Sequence, residues 1–143
     1  MAKATQKTIG WNAVRKHINA WDKSSLLALL KDLYQTSSEN RDFINARCMA
    51  PDSGEDVLKP YRKKIKEQFY PERGYAPLKL GEARKAIRDY RKATGNVQGT
   101  AELLLTYVET GTCFTHAYGD MEASFYISLE SVLKDLAVLL RRE

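Results

Sequence analysis

The sequence predicts an all-α protein, and three observations carry that reading. Apolar residues recur at steps of three and four, from Trp11, Val14 and Ile18 near one end to Leu129, Val132 and Leu136 near the other. That spacing lays one face of a helix against a core. Short β-like runs occur, but none alternates well enough to read as a half-buried strand. Between the periodic segments stand residues that start and stop helices, among them Asp22, Ser37, Pro71, Gly95 and Gly119. About seven helices joined by short loops follow, in a single compact domain, as an irregular helical bundle or a short stack of helix pairs. No internal repeat of fixed period is present, so a regular solenoid is not expected.

At 143 residues, 43% apolar and 29% charged, the chain has the size and composition of one soluble domain with its own core. Residues 1–8 read as a flexible tail and 9–143 as the domain. The first residues lack the apolar core of a secretory signal, and no apolar run is long enough to span a membrane. A cytoplasmic protein without a membrane partner is expected. Cys48 and Cys113 fit neither a disulfide framework nor a metal-ligand spacing, and are expected as buried free thiols.

The first helix is set by Trp11, Val14, Ile18 and Trp21, with His17 at its boundary. Asp22, followed by Ser24 and Ser25, supplies cap chemistry for a second helix bearing Leu26, Leu27, Leu29, Leu30, Leu33 and Tyr34. That face is wide enough for a central packing element. Ser37, Ser38 and Glu39 open a short third helix through Phe43, Ile44 and Cys48, expected to end before Pro51. The run 51–54 is turn chemistry, and Pro60 is accommodated most easily at the first turn of a new helix.

That helix, 60–69, turns Leu58, Tyr61, Ile65 and Phe69 onto one arc of about 80° and gathers Lys59, Arg62, Lys63 and Lys66 on the other side. Tyr70 ends on the charged stripe. After Pro71 a loop carries Arg73, Gly74 and Pro77. The next helix, capped by Gly81 and closed by Gly95, buries Ala83, Ile87 and Tyr90 while Arg84, Lys85, Arg88, Arg91 and Lys92 share an arc of about 120°. Residues 58–94 therefore hold twelve Lys and Arg against four acids, a local net of +8 in a chain of net +5.

After Gly95 the character turns acidic. A long segment carries one apolar row through Ala101, Leu104, Leu105 and Val108 and another through Leu103, Tyr107, Phe114 and Tyr118. A helix apolar on so much of its surface is expected at the centre, with Gly111 as a bend or end point. Asp120 is expected to cap the last helix, 121–141, which buries Phe125, Leu129, Val132, Leu133, Leu136, Leu139 and Leu140 and carries Arg141 and Arg142 at its C-terminus.

The stretches IKEQFYPERGYAPLKLGEARKAIRDYRK and LLLTYVETGTCFTHAYGDMEASFYISLES together resemble the two characteristic segments of an uncharacterised bacterial domain-of-unknown-function family of small helical proteins. The resemblance implies a bacterial, intracellular, helical domain and brings no catalytic or binding residues with it.

Chemistry-bearing residues are sparse. Glu109, Cys113, His116, Tyr118, Asp120 and Glu122 cluster in sequence, yet the chain has only two histidines and no Glu-x-x-His pair. The expectation is a capping Asp120 and a core seam ending at His116 and Tyr118. No Walker loop or Rossmann glycine fingerprint occurs, so nucleotide-dependent chemistry is not expected. The reading is a non-catalytic protein-interaction or structural module without a cofactor or metal. Its binding surface is the pair of basic helices: Lys59, Arg62, Lys63, Lys66 and Tyr70 on the first, Arg73 on the loop, and Arg84, Lys85, Arg88, Arg91 and Lys92 on the second. The partner is an acidic protein or a second copy, since the C-terminal third is acidic. Nucleic acid, bound by its phosphates with tyrosines stacking on bases, is the alternative.

Overall fold

A computed structural model describes residues 8–141; residues 1–7 of the expected tail, and Arg142, lie outside the described residues. The fold is all-α, with six helices and no strand among the described residues: α1 Trp11–Ile18, α2 Lys23–Thr36, α3 Ser38–Glu67, α4 Leu80–Thr94, α5 Val97–Tyr118 and α6 Ala123–Arg141. None of these helices is long and apolar enough to cross a membrane. At the level of its internal contacts the chain falls into two compact units, Met1–Arg41 and Asp42–Glu143, and the division lies inside α3.

In the first unit, α2 begins as the sequence predicts. Asp22 Oδ1 accepts from the Ser25 N–H at 2.8 Å, and hydrogen bonding from the Ser25 side chain first, and from this N–H second, holds the Asp22 carboxyl below its ordinary value. Ser37 starts α3 in the same way, its Oγ accepting from the Asn40 N–H at 3.1 Å. Neither α1 nor α2 buries a residue. The expected role of α2 as a central packing element is thus corrected: Leu26, Leu29 and Tyr34 are half-buried at most. Within its unit the described residues set beside α2 only the 8-residue α1 and the first turn of α3, too little to enclose a face of leucines.

The second unit holds the core. Its part of α3 breaks at Ser53, where φ −138° and ψ 46° leave the helical region. Two segments result, and helix persists through Pro51, which reduces the expected seven helices to six. The sequence placed Pro60 at a helix start; it lies instead inside the second segment, where it removes the N–H that would serve the Asp56 carbonyl. Burial of Val57, Leu58 and Tyr61 on either side holds the turn in place.

Leu58, Tyr61, Ile65 and Phe69 are all buried, as their shared arc requires, and so are Ala83, Ile87 and Tyr90 of α4. Phe69 is an aromatic hub, with ring centroids 5.8 Å from Tyr107, 6.0 Å from Phe114 and 6.1 Å from Phe125. The Tyr61 and Tyr90 rings meet edge to face at 5.5 Å and join α3 to α4. Gln68 secures the loop between those helices: its carbonyl accepts from the Leu78 N–H at 3.0 Å and its Oε1 from the Lys79 N–H at 3.1 Å. α4 closes at Gly95 in the left-handed region, φ 63°.

α5 runs unbroken through Gly111, which neither bends nor ends it. A Cβ at Gly111 would run into the Leu129 side chain, so glycine is there to let α6 approach. Leu103, Leu104, Tyr107 and Phe114 are buried, whereas Leu105 and Tyr118 are exposed. On α6, Phe125, Val132 and Leu139 are buried but Leu133 and Leu140 are not, because α6 packs on α5 along one stripe narrower than its apolar band. The last helix starts at Ala123, two residues after the expected position, and Asp120 is not its cap. Asp120 Oδ1 accepts from the Tyr126 O–H at 2.6 Å and from the Met121 N–H at 3.1 Å. Both cysteines are free, but exposed rather than buried.

Candidate functional site

The positive row of α3 lies along a shallow hollow lined by Lys59, Arg62, Lys63, Lys66 and Tyr70 together with Glu67 and Glu72. Most of its charge is engaged. Arg62 donates from Nη1 to Glu55 Oε1 at 2.7 Å and stands 3.5 Å from Glu102. Lys59 pairs with Asp56 at 3.6 Å and Lys63 with Glu67 at 3.7 Å. Beside the row, Lys64 reaches the buried Asp42 at 3.6 Å. The Glu55 carboxyl is held below the ordinary carboxylate value, above all by the Arg62 hydrogen bond, and the Arg62 guanidinium is raised in return. Tyr70 rests its ring 6.0 Å from Phe114, and burial, with Cys113 and Tyr118 close by, pushes its phenol above the ordinary value. Arg73 is exposed on the loop.

The row of α4 has a different setting. Arg84, Arg88 and Arg91, spaced one turn apart, line a half-open pocket of about 300 Å³ between α4, α5 and α6. Its walls are apolar, from Ile87, Leu104, Val132 and Leu139. Arg84 is tied down, donating to Ser131 Oγ at 3.2 Å and standing 3.6 Å from Asp135. Arg88 and Arg91 are exposed and have no acidic partner among the described residues. Off the pocket, Lys85 pairs with Asp89 at 3.2 Å and Lys92 is exposed.

Two further contacts set this geometry. Arg47 of α3 donates from Nη2 to the Lys92 carbonyl at 2.8 Å and from Nε to the Ala93 carbonyl at 3.2 Å, satisfying the last turn of α4 with a positive group. Its guanidinium lies 4.7 Å from the centre of the Phe43 ring. The second contact joins α5 to α6: Tyr107 and Ser128 share a hydroxyl hydrogen bond of 2.6 Å, and burial pushes the Tyr107 phenol up. Sequence reasoning found the arginines but neither Arg47 nor the pocket, since each depends on residues more than forty positions apart.

Cys113, His116 and Asp120 do line one shallow depression at the end of α5, with Tyr126. The Asp120 carboxylate is occupied by Tyr126, whose phenol it raises. Among the described residues no hydrogen bond links the thiol to the imidazole, and no three His, Cys, Asp or Glu side chains gather as a metal-binding group.

Comparison with protein-family models, with curated proteins and with solved structures finds no match to this chain.

Proposed function

We propose that this chain is a non-catalytic, cytoplasmic interaction module that meets another protein, either an acidic partner or a second copy of itself. The observation that carries the reading is the apolar face of α1 and α2. Trp11 is 65% exposed, Leu27 55% and Leu30 48%, Trp21 between the two helices is 45% exposed, and neither helix buries a side chain. Apolar residues concentrated on two short helices, with tryptophan among them, are typical of surfaces that another protein covers. Helices of this length also gain most of their stability from packing an apolar face rather than from propensity. The positive rows of α3 and α4 offer a second, electrostatic surface, which favours a partner of opposite charge.

Light scattering across a concentration series, together with purification from the native host, tests this. A discrete oligomer or a stoichiometric protein partner is expected, and Leu27→Glu with Leu30→Glu should abolish it. A strict monomer that brings down nothing overturns the reading. Nucleic acid is the second reading, favoured by the exposed Arg88, Arg91 and Lys92, which have no acidic partner among the described residues. It requires retention on DNA or RNA that weakens steeply with salt and is lost on charge reversal at Arg84, Arg88 and Lys92. The pairing of Lys59, Arg62, Lys63 and Arg84 with acids ranks it second.

A further inference from the structure

We propose that the pocket between α4, α5 and α6 binds a small amphipathic anion, an apolar chain or ring carrying one carboxylate or phosphate head. The inference does not rest on the interaction reading, because the α1 and α2 face contributes nothing to this pocket.

A volume of about 300 Å³ lies at the lower end of small-ligand pockets. The interior offers carbon: Ile87, Val132 and Leu139 are buried core residues whose side chains also form its wall. Among the described lining residues the only acid is Asp135, and Arg84 stands against it. One positive charge at the mouth is therefore matched and two are not. Those two, Arg88 and Arg91, follow Arg84 along the same face of α4 at steps of four and three, and all three line the pocket. A guanidinium fork matches carboxylate and phosphate oxygens in a bidentate geometry. Thr100, a lining residue 1% exposed, already donates its hydroxyl proton to the Asn96 carbonyl at 2.8 Å. An apolar interior beneath a doubly positive mouth selects a molecule with the same division: an apolar body and an anionic head.

The test is a calorimetric titration of the full chain with decanoate, decyl phosphate and neutral decanol, each below its aggregation threshold. Saturable one-to-one binding of an anion is expected, with decanol at least about tenfold weaker, since hydrogen bonds to charged groups contribute on that scale. Arg88→Gln with Arg91→Gln should weaken the anions about tenfold or more and leave decanol unchanged. Val138→Trp, at a half-exposed lining position, should fill the cavity and remove all binding, with circular dichroism confirming the fold. A preference for decanoate assigns a carboxylate source, and the reverse preference assigns a phosphate. Absence of saturable binding by either anion, equal affinity for decanol, or affinity unchanged in the arginine variant each overturns the proposal.

Discussion

The positive rows of α3 and α4 look alike in sequence and differ in what the fold brings to them. Both sit opposite a buried apolar face on the same kind of amphipathic helix. Around α3, Glu55, Asp56, Glu67 and Glu102 come within reach of its cations, and only Lys66 of the row is left without an acidic partner among the described residues. Around α4, Asp135 and Asp89 engage Arg84 and Lys85, while Arg88, Arg91 and Lys92 have no acidic partner among the described residues. The available charge therefore concentrates on α4, next to an apolar pocket. A local net charge counts cations and nearby acids along the chain. What a ligand meets is the residue after acids from other turns and other helices have been subtracted.

The largest expected effect tests the floor that the two rows share. Tyr90 lies beneath both, 1% exposed, with Tyr61 against one edge and Gly99 against its hydroxyl. Tyr90→Ala should cost about 3–5 kcal/mol in urea unfolding, as large-to-small aromatic truncations in cores do. Gly99→Ala alone should cost about 1–3 kcal/mol, because the new Cβ overlaps the Tyr90 ring and hydroxyl. The two should be strongly non-additive, since the truncated ring leaves room for the methyl. Additive losses would mean that Gly99 is required for some reason other than Tyr90, and that the floor is not a single packed unit.

How much of this could be read beforehand follows from the same contrast. The faces of the helices were legible, because periodicity alone places Leu58, Tyr61, Ile65 and Phe69 inward and the stop at Gly95 needs only its local residue. Kinks were less legible: Pro51 and Pro60 favour breaks at their own positions, but helix runs through both, held at Pro60 by the burial of Val57, Leu58 and Tyr61, and the break falls at Ser53. Apolar bands wider than the contact they make misled the reading of α2 and α6, where Leu27, Leu30, Leu133 and Leu140 are exposed. The candidate site was legible only as a set of cations. Its pocket needs Arg84 to meet Ser131 and Asp135 across the sequence, and its frame needs Arg47 to reach the end of α4. No local pattern encodes pairings of that range.

A smaller effect separates the rows directly. Arg62 is 26% exposed and faces two carboxylates. Its replacement by Ala should lower stability by about 1 kcal/mol, the upper range for partly exposed pairs, and the loss should shrink in high salt. Arg88→Ala should stay within about 0.5 kcal/mol at any salt concentration, as expected for a surface side chain with no acidic partner among the described residues. Equal losses from the two substitutions would erase the distinction between a neutralised row and an available one.

The smallest effect concerns pH. Glu55 has its carboxyl held below the ordinary value, first by the Arg62 hydrogen bond and then by the charges of Arg62 and Lys59. The folded chain therefore binds this proton less readily than the unfolded chain. The contribution is fully present above the pH at which an unfolded carboxylate titrates, and it is lost as pH falls from there through the depressed folded value. Urea midpoints at pH 7 and pH 3 should fall further apart in the unmodified chain than in Glu55→Gln, whose side chain does not titrate. Arg88→Gln, at a position of the α4 row without an acidic partner among the described residues, should reproduce the unmodified acid loss. If Glu55→Gln and the unmodified chain lose stability equally on acidification, the pairing along α3 contributes nothing in solution, and both rows present their charge alike.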